Sequence, residues 1–129
     1  MKVCDKLLKL AASASLKSYS PYSNLKVGAA IQSTSGKYYS GCNIENVSYP
    51  LGSCAEQSAI SAMILQGDTQ IKSILIYANS PSQITPCGGC RQRIAEFATS
   101  KTIIYIANNQ GINKSFTLND LLPSRFEEF

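Results

Sequence analysis

The sequence predicts an α/β protein, a three-layer α/β/α sandwich built on a mixed sheet of five strands. Helical and strand patterns alternate along most of the chain, and two strand patterns in the N-terminal half are separated only by a short turn. Alternating strands and helices favour a sheet with parallel stretches and helices on both faces. The hairpin adds an antiparallel pair of strands, which makes the sheet mixed.

The N-terminal third predicts one helix and the hairpin. Apolar side chains recur at helical spacing over residues 2–18, and Pro21 stops the propagation of that helix. Apolar alternation from Val27 to Ile31 predicts a strand. Residues 34–37 predict a turn, and residues 38–43 predict the returning strand.

The middle of the chain predicts two helices around a buried strand. Apolar spacing over residues 53–66 predicts a helix that begins at Ser53 as N-cap and stops at Gly67. The continuous apolar run over residues 71–78 predicts a strand, and residues 87–98 predict the next helix.

The C-terminal part predicts the end of the sheet. Residues 102–107 form a short apolar strand pattern, residues 108–111 a turn, residues 114–117 a weaker strand and residues 118–122 a helical turn. No repeat or linker interrupts the chain, so we expect residues 1–129 to form a single catalytic domain.

Composition and charge bound the function. Apolar residues make up 44% of the chain and the net charge is +4. No basic tract marks a nucleic-acid face, and no apolar run approaches the roughly 20 residues of a membrane helix. The first residues resemble a signal peptide, but Lys6 and Lys9 interrupt the apolar run. Five cysteines, an odd number, favour a reducing compartment. We therefore expect a cytoplasmic protein that binds neither nucleic acid nor membrane.

Three cysteines and one glutamate carry the chemistry. Cys54 and Glu56 stand in a Cys-Ala-Glu motif, and Cys87 and Cys90 stand three positions apart, in a chain that has no histidine. Three thiolates make a zinc site with one position left free, whereas a structural zinc site takes four protein ligands. A free zinc position beside a carboxylate is suited to activating water. We therefore predict one Zn²⁺ held by the three cysteines, with Glu56 as acid and base.

Two alternatives without catalysis also fit these residues. Cys42 could close a purely structural zinc site as the fourth ligand, or the domain could be a zinc-stabilised binding module without catalysis. Neither alternative needs Glu56.

Both ligand segments are predicted at helix starts, where free N–H groups and the helix dipole favour thiolates.

The chain resembles the zinc-dependent cytidine deaminases of the homotetrameric type, from about Tyr19 to Phe126. The zinc motif alone indicates the deaminase superfamily. The more specific signal is the Asn43-Ile44-Glu45-Asn46 segment, which resembles the nucleoside-binding segment of the family. The further matching motifs are Ser20-Pro21-Tyr22-Ser23, Val27-Gly28-Ala29-Ala30, Pro86-Cys87-Gly88-Gly89-Cys90-Arg91-Gln92 and Leu121-Leu122-Pro123.

The resemblance implies hydrolytic deamination of cytidine and 2′-deoxycytidine in pyrimidine salvage, with release of ammonia. Asn43 and Glu45 would hold the ribose, the backbone N–H of Ala55 would bind the pyrimidine O2, and Glu56 would transfer the protons. Phe126 would reach the site of a neighbouring subunit in a homotetramer.

The chain departs from the family pattern at two positions near the site. Gln57 stands where the family often has an arginine that offsets the thiolate charge, so we expect Arg91 and the helix dipoles to share that role with Gln57. Leu25 stands near the place of a family phenylalanine and is expected to form an apolar wall for the base without aromatic stacking.

Other deaminase substrates are also open at this point. Blasticidin-S deaminase, which acts on a cytosine-bearing antibiotic, shares much of the zinc motif. The segment that contains Asn43 and Glu45 favours a free nucleoside instead. Polynucleotide editing is disfavoured, because the chain is short and has no basic groove pattern.

Overall fold

The computed structural model of the protein describes residues 1–129 and contains one five-stranded sheet. A single 3-10 turn at Tyr49–Leu51 precedes the second helix. The helices and strands, in chain order, are α1 (Val3–Ser15), β1 (Val27–Ser33), β2 (Tyr38–Cys42), α2 (Ala55–Leu65), β3 (Ile71–Ala78), α3 (Gly88–Phe97), β4 (Ala98–Asn108), β5 (Gly111–Thr117) and α4 (Leu118–Leu121).

The strands lie in the order β2-β1-β3-β4-β5. Strands β3 and β4 are parallel, and α3 forms the crossover between them; every other neighbouring pair is antiparallel. The predicted mixed sheet of five strands is therefore confirmed, together with its N-terminal hairpin. No helix of the chain combines the length and the apolar character needed to cross a bilayer.

Helices cover both faces of the sheet, as the sequence predicts. On one face, Leu7 and Ala11 of α1 pack in a fully buried cluster with Ala30, Leu75 and Ala107. The larger core fills the opposite face between the sheet and the other three helices. Burying one such aliphatic side chain contributes about 1.5–3 kcal/mol. The members of the larger core include Ala29, Ile31, Ala59, Met63, Ile74, Ile76, Ile94, Ile104, Ile106, Leu118 and Leu121.

Two glycines allow the helices to approach the sheet closely. A Cβ atom on Gly28 would lie 1.9 Å from the carbonyl oxygen of Ala11, so α1 rests directly on the backbone of β1. A Cβ atom on Gly41 would lie 2.4 Å from the backbone nitrogen of Ala59, so α2 rests directly on β2. The second contact matters for the site, because α2 begins beside Cys54.

Several predicted boundaries differ from the structure. Helix α1 ends at Ser15, because the next three N–H groups bond back to the carbonyl three residues earlier, as in a tight turn. Helix α2 starts one residue later than predicted, with Cys54 and not Ser53 at its N-cap. The backbone of Ser53 is paired with Ile44 through bonds of 2.8 and 2.9 Å, which hold Ser53 in a bridge.

The last two strands are longer than predicted. Strand β4 starts at Ala98, which pairs with Ile71 across a register shift, and β5 starts at Gly111. The sequence does not predict the early part of β4, because the polar stretch from Thr99 to Lys101 has no alternation of apolar residues. Pairing with neighbouring strands overrides this weak local pattern.

Candidate metal centre and active site

The three predicted sulfur ligands converge at the starts of two helices. Cys54 immediately precedes α2, Cys87 immediately precedes α3, and Cys90 lies in the first turn of α3. Their Sγ atoms all lie within 4.8 Å of one another, and the Cys54–Cys87 pair is separated by 4.0 Å. A tetrahedral Zn²⁺ with Zn–S bonds of about 2.3 Å holds its sulfurs about 3.8 Å apart. The cluster therefore fits a zinc ion.

No fourth cysteine, aspartate or glutamate joins this cluster. Cys42 lies at the end of β2, pairs with Gly28 across the hairpin, and remains a free thiol outside the group. The alternative of a four-ligand structural site closed by Cys42 is therefore wrong. Three sulfur donors leave one position of a tetrahedral ion free for a small ligand, as in catalytic zinc sites.

The electrostatics of the thiols favour a bound cation. Burial raises the pKa of Cys54 and of Cys90 above the usual thiol range. Burial acts in the same direction on Cys87, but hydrogen bonds, among them one of 3.4 Å from the Cys90 N–H to its Sγ, outweigh it and lower the pKa of Cys87. Two of the three thiols therefore ionise readily only with a positive charge close by, which is what a zinc ion supplies.

Glu56 lies in the first turn of α2 and only 4% of its surface is exposed. Burial raises the pKa of its carboxyl group, while its own backbone N–H, Cys90 and the charge of Arg93 act more weakly in the opposite direction. A carboxyl group with a raised pKa keeps its proton to a higher pH than an exposed glutamate does. The structure thus holds a buried carboxyl group two residues along the chain from Cys54.

One cavity of about 230 Å³ joins the sulfurs to the predicted substrate residues. Leu25, Asn43, Ala55 and Glu56 line it together with two of the cysteines. Ala55 is the first residue of α2, so its backbone N–H has no partner within the helix and is available to an acceptor. Sequence reasoning missed four further lining residues, which are Val27, Ile76, Ile84 and Thr85.

Asn43 fixes the loop that forms the wall of this cavity. Its Oδ1 atom accepts a hydrogen bond of 2.9 Å from the Val27 N–H and another from the Ser18 hydroxyl. Its Nδ2 atom donates to the Leu25 carbonyl oxygen at 2.8 Å. The side chain of Asn43 therefore positions Leu25, in addition to the substrate role that the sequence predicts for it.

Glu45 lines a second cavity, of about 280 Å³, which shares no lining residue with the first. Its carboxylate accepts hydrogen bonds from the Tyr22 N–H at 2.9 Å, the Ser23 N–H at 3.2 Å and the Ser23 hydroxyl. The Ser23 hydroxyl is the main cause of the lowered pKa of Glu45. The structure therefore keeps Glu45 ionised as an acceptor, in a cavity that Tyr49 also lines.

Arg91 does not contact the sulfurs, contrary to the prediction. All of its hydrogen bonds go to oxygen: Nε to Pro86 O at 2.8 Å, Nη1 to Leu121 O at 2.9 Å and Nη2 to Thr85 Oγ1 at 3.3 Å. It follows Cys90 directly, and successive helical residues point about 100° apart. Arg91 therefore ties α3 to the loop before it and to α4.

Gln57 also differs from its predicted role. Its side chain makes no hydrogen bond to a sulfur, and its carbonyl oxygen accepts from the Ser61 hydroxyl at 2.9 Å. The guanidinium of Arg93 does reach the cluster, with Nη1 3.5 Å from the Sγ of Cys90. Sequence reasoning missed Arg93, although residues three apart on a helix share a face and its position after Cys90 carried that signal.

Phe126 lies away from the zinc cavity of its own chain. The residue is 63% exposed, and its ring packs edge-on against Phe129 with the ring centroids 5.7 Å apart. Its carbonyl oxygen accepts from Gln92 Nε2 at 2.9 Å, which fixes the backbone beside α3. Within one chain, Phe126 therefore has no contact with the substrate cavity.

The fold and the three sulfurs place the chain in the class of α/β proteins whose zinc site has three thiolate ligands and one free position. The family model for the "Cytidine and deoxycytidylate deaminase zinc-binding region" matches residues 1–106. The chain therefore belongs to the cytidine and deoxycytidylate deaminase family. Zinc is the cofactor of this family, and the three cysteines provide its site.

Relatives and solved structures agree with this assignment. The chain is 36% identical to a cytidine deaminase of Sporosarcina psychrophila over 96% of this chain and 91% of the relative. It is 38% identical to one of Halalkalibacterium halodurans over 93% and 91%, respectively. The crystal structure of a cytidine deaminase from Burkholderia pseudomallei superposes with a TM-score of 0.91 at 37% identity, covering 98% of this chain and all of that chain. The predicted fold and its resemblance to cytidine deaminases are thus confirmed.

Proposed function

We propose that this protein catalyses the zinc-dependent hydrolytic deamination of cytidine and 2′-deoxycytidine to uridine and 2′-deoxyuridine, with release of ammonia, in pyrimidine salvage. The observation that carries the proposal is the buried carboxyl group of Glu56 in the same cavity as Cys54 and Cys87. The cytidine deaminase names of the relatives support the choice of substrate.

In this proposal, Glu56 moves the protons. Bound Zn²⁺ supplies the Lewis acidity that makes water nucleophilic at neutral pH. Glu56 would take one proton from the attacking water and deliver it to N3 of the pyrimidine as the C4–O bond forms. It would then take the remaining proton from the new C4 hydroxyl and deliver it to the amine, so that the C4–N bond breaks as the C4 carbonyl forms. One water and one cytidine thus give one uridine and one ammonia. The raised pKa of Glu56 suits a group that must both accept and donate.

The remaining residues of the zinc cavity, together with Glu45 from the second cavity, position the nucleoside. The free N–H of Ala55 donates to the pyrimidine O2, and Leu25 provides an apolar wall for the ring. Asn43 and Glu45 bind the ribose hydroxyls. The lowered pKa of Glu45 supports the role of acceptor, because its carboxylate stays ionised and has lone pairs beyond those used by Tyr22 and Ser23. Such fixed contacts orient C4 without taking part in bond making.

The test compares ammonia release from cytidine by the wild type, Glu56→Gln and the exposed control Glu128→Gln, with zinc measured in all three. We expect Glu56→Gln to keep its zinc and to lose at least about 10²-fold in kcat, the lower range for general acid/base catalysis. The control should match the wild type. Turnover retained by zinc-loaded Glu56→Gln would remove this residue from the mechanism and would favour a binding module.

We also propose a homotetramer in which Phe126 completes the site of a neighbouring subunit. Several apolar side chains are highly exposed in one chain: Val47 is 76% exposed, Leu51 is 72% and Leu65, at the far end of α2, is 82%. Phe126 is likewise exposed, next to Phe129. Large apolar surfaces of this kind mark protein interfaces.

Mixed oligomers test the shared site. Light scattering should give a mass four times that of the 13.9 kDa chain. Glu56→Gln subunits keep Phe126, and Phe126→Ala subunits keep Glu56, so oligomers formed from both should be more active than either parent. Hybrids as inactive as both parents would contradict a Phe126 that acts across subunits.

A cytoplasmic location and a single catalytic domain at residues 1–129 belong to the same proposal. All five cysteines are free thiols in the structure, and three of them meet as metal ligands. A reducing compartment keeps such thiols available. Fractionation of cells that express the native protein would test the location, and activity of the isolated 129-residue chain would test the domain.

A further inference from the structure

Arg93 is a cation on the face of α3 that carries a zinc ligand. It lies one helical turn after Cys90, and its Nη1 atom donates to the Sγ of Cys90 at 3.5 Å. Cys90 itself is fully buried, whereas the rest of Arg93 is exposed. The guanidinium therefore lies at the boundary between the buried sulfur cluster and the surface.

Gly89 provides the space in which this guanidinium lies. A Cβ atom built on Gly89 would lie 3.2 Å from Nη1 of Arg93, which is tighter than most real contacts, and 3.9 Å from Cζ, which is an ordinary contact distance. The neighbouring Gly88 differs, because a Cβ atom there would meet nothing within 4 Å. Of the two glycines between the cysteines, only Gly89 borders the guanidinium of Arg93.

No other cation contacts the sulfurs. The guanidinium of Arg91 is occupied by three oxygen acceptors, and the amide of Gln57 makes no hydrogen bond to sulfur. Among the hydrogen bonds of the structure, the bond from Arg93 to Cys90 is the only one from a charged side chain to a sulfur. The position that the sequence favoured for charge compensation is therefore not the one that the fold uses.

We propose that Arg93, seated over Gly89, is the positioning residue that compensates the thiolate charge of the zinc site. Three thiolates and one Zn²⁺ carry a net charge of −1, and one guanidinium in contact brings the sum to zero. This arrangement favours the thiolates that bind zinc and limits their electron donation to the metal. The inference rests on the zinc site of the proposed function and does not depend on which nucleoside is the substrate.

Zinc affinity is the direct measurement. Competition with a chromophoric chelator would compare the wild type with Arg93→Gln, which removes the charge, and Arg93→Lys, which keeps it. We expect Arg93→Gln to bind zinc about 10- to 100-fold more weakly, the range typical for residues that support metal ligands. Arg93→Lys should recover most of the loss, because a flexible ammonium still places a charge near Cys90. Equal zinc affinity of wild type and Arg93→Gln would overturn the proposal.

The two glycines supply a matched pair of variants. Gly89→Ala should weaken zinc binding a few-fold in the wild type, because its Cβ displaces the guanidinium, and should have no effect in an Arg93→Gln background. Gly88→Ala should be neutral in both backgrounds. An equal loss from Gly89→Ala in both backgrounds would show that the alanine acts through the backbone and would contradict a seat for Arg93.

The outcomes separate this proposal from the proposed function. Weaker zinc binding by Arg93→Gln, in a protein that releases no ammonia from cytidine, would support the charge role and refute the activity. Normal zinc affinity and normal kcat of Arg93→Gln, in a protein that does release ammonia, would refute the charge role and support the activity. Thermal unfolding of each zinc-free variant shows whether a loss of affinity comes only from a damaged fold.

Discussion

The contact between Gly41 and α2 links the sheet to the active site, and Gly41→Ala is the perturbation that tests it. The new Cβ atom would lie 2.4 Å from the backbone nitrogen of Ala59 and 2.7 Å from two atoms of Ser58. Backbone atoms cannot rotate away as the end of a side chain can. Helix α2, which carries Glu56, must therefore move relative to β2.

The expected magnitude follows from the distances. An ordinary contact starts near 3.4 Å, so β2 and α2 must separate by about 1 Å. Overpacking of this kind costs about 1–3 kcal/mol, which corresponds to a decrease in Tm of about 4–12 °C for a chain of this length. A displacement of about 1 Å at a catalytic group lowers turnover about 10²-fold. We therefore expect a folded variant with low kcat.

The assay measures Tm and the kcat for cytidine at 15 °C, where the variant is still folded, at one fixed protein concentration. Ser40→Ala is the control, because Ser40 is the exposed neighbour of Gly41 on β2. It should match the wild type in both measurements. Normal Tm and normal kcat of Gly41→Ala would show that this close contact does not position α2.

Two further predictions concern polar groups around the sheet. Asn43→Ala removes three hydrogen bonds and should lower the free energy of unfolding by about 3 kcal/mol in urea titrations, whereas the exposed control Asn109→Ala should have little effect; equal values for the two variants would contradict this. Hydrogen bonds to Asp68, chiefly from Tyr39, lower the pKa of Asp68. Its ionised form therefore stabilises the fold above pH of about 4, and this contribution is lost as the pH falls through the lowered pKa. Asp68→Asn should reduce Tm at pH 7 and progressively less below pH 4; a constant difference would contradict this.

Local patterns in the sequence predicted most of the fold and the ligand set. The spacing of apolar residues predicted each helix and each strand. The spacing of Cys54, Cys87 and Cys90 predicted a three-sulfur cluster, which the structure confirms. These features are visible because they depend on neighbours along the chain. The bridge between Ser53 and Ile44, which moved the start of α2, is a contact between distant segments and left no local signal.

Charge compensation shows the same limit within the site. The sequence favours Arg91 because it is adjacent to Cys90, but adjacent residues of a helix point their side chains in different directions. The structure turns Arg91 toward Leu121 and brings Arg93 to the sulfur instead. Helical periodicity could have ranked Arg93 first. The role proposed for Phe126 is different, because contacts between chains would decide it and the structure describes one chain.

The central claim is that three cysteine sulfurs hold the zinc and leave its fourth position free for chemistry. X-ray absorption at the zinc edge of the purified, active protein measures this directly. We expect three sulfur scatterers at about 2.3 Å and one lighter scatterer at about 2.0 Å, the latter perturbed when a cytidine-competitive inhibitor is added. Four sulfur scatterers, or a spectrum indifferent to the inhibitor, would contradict it.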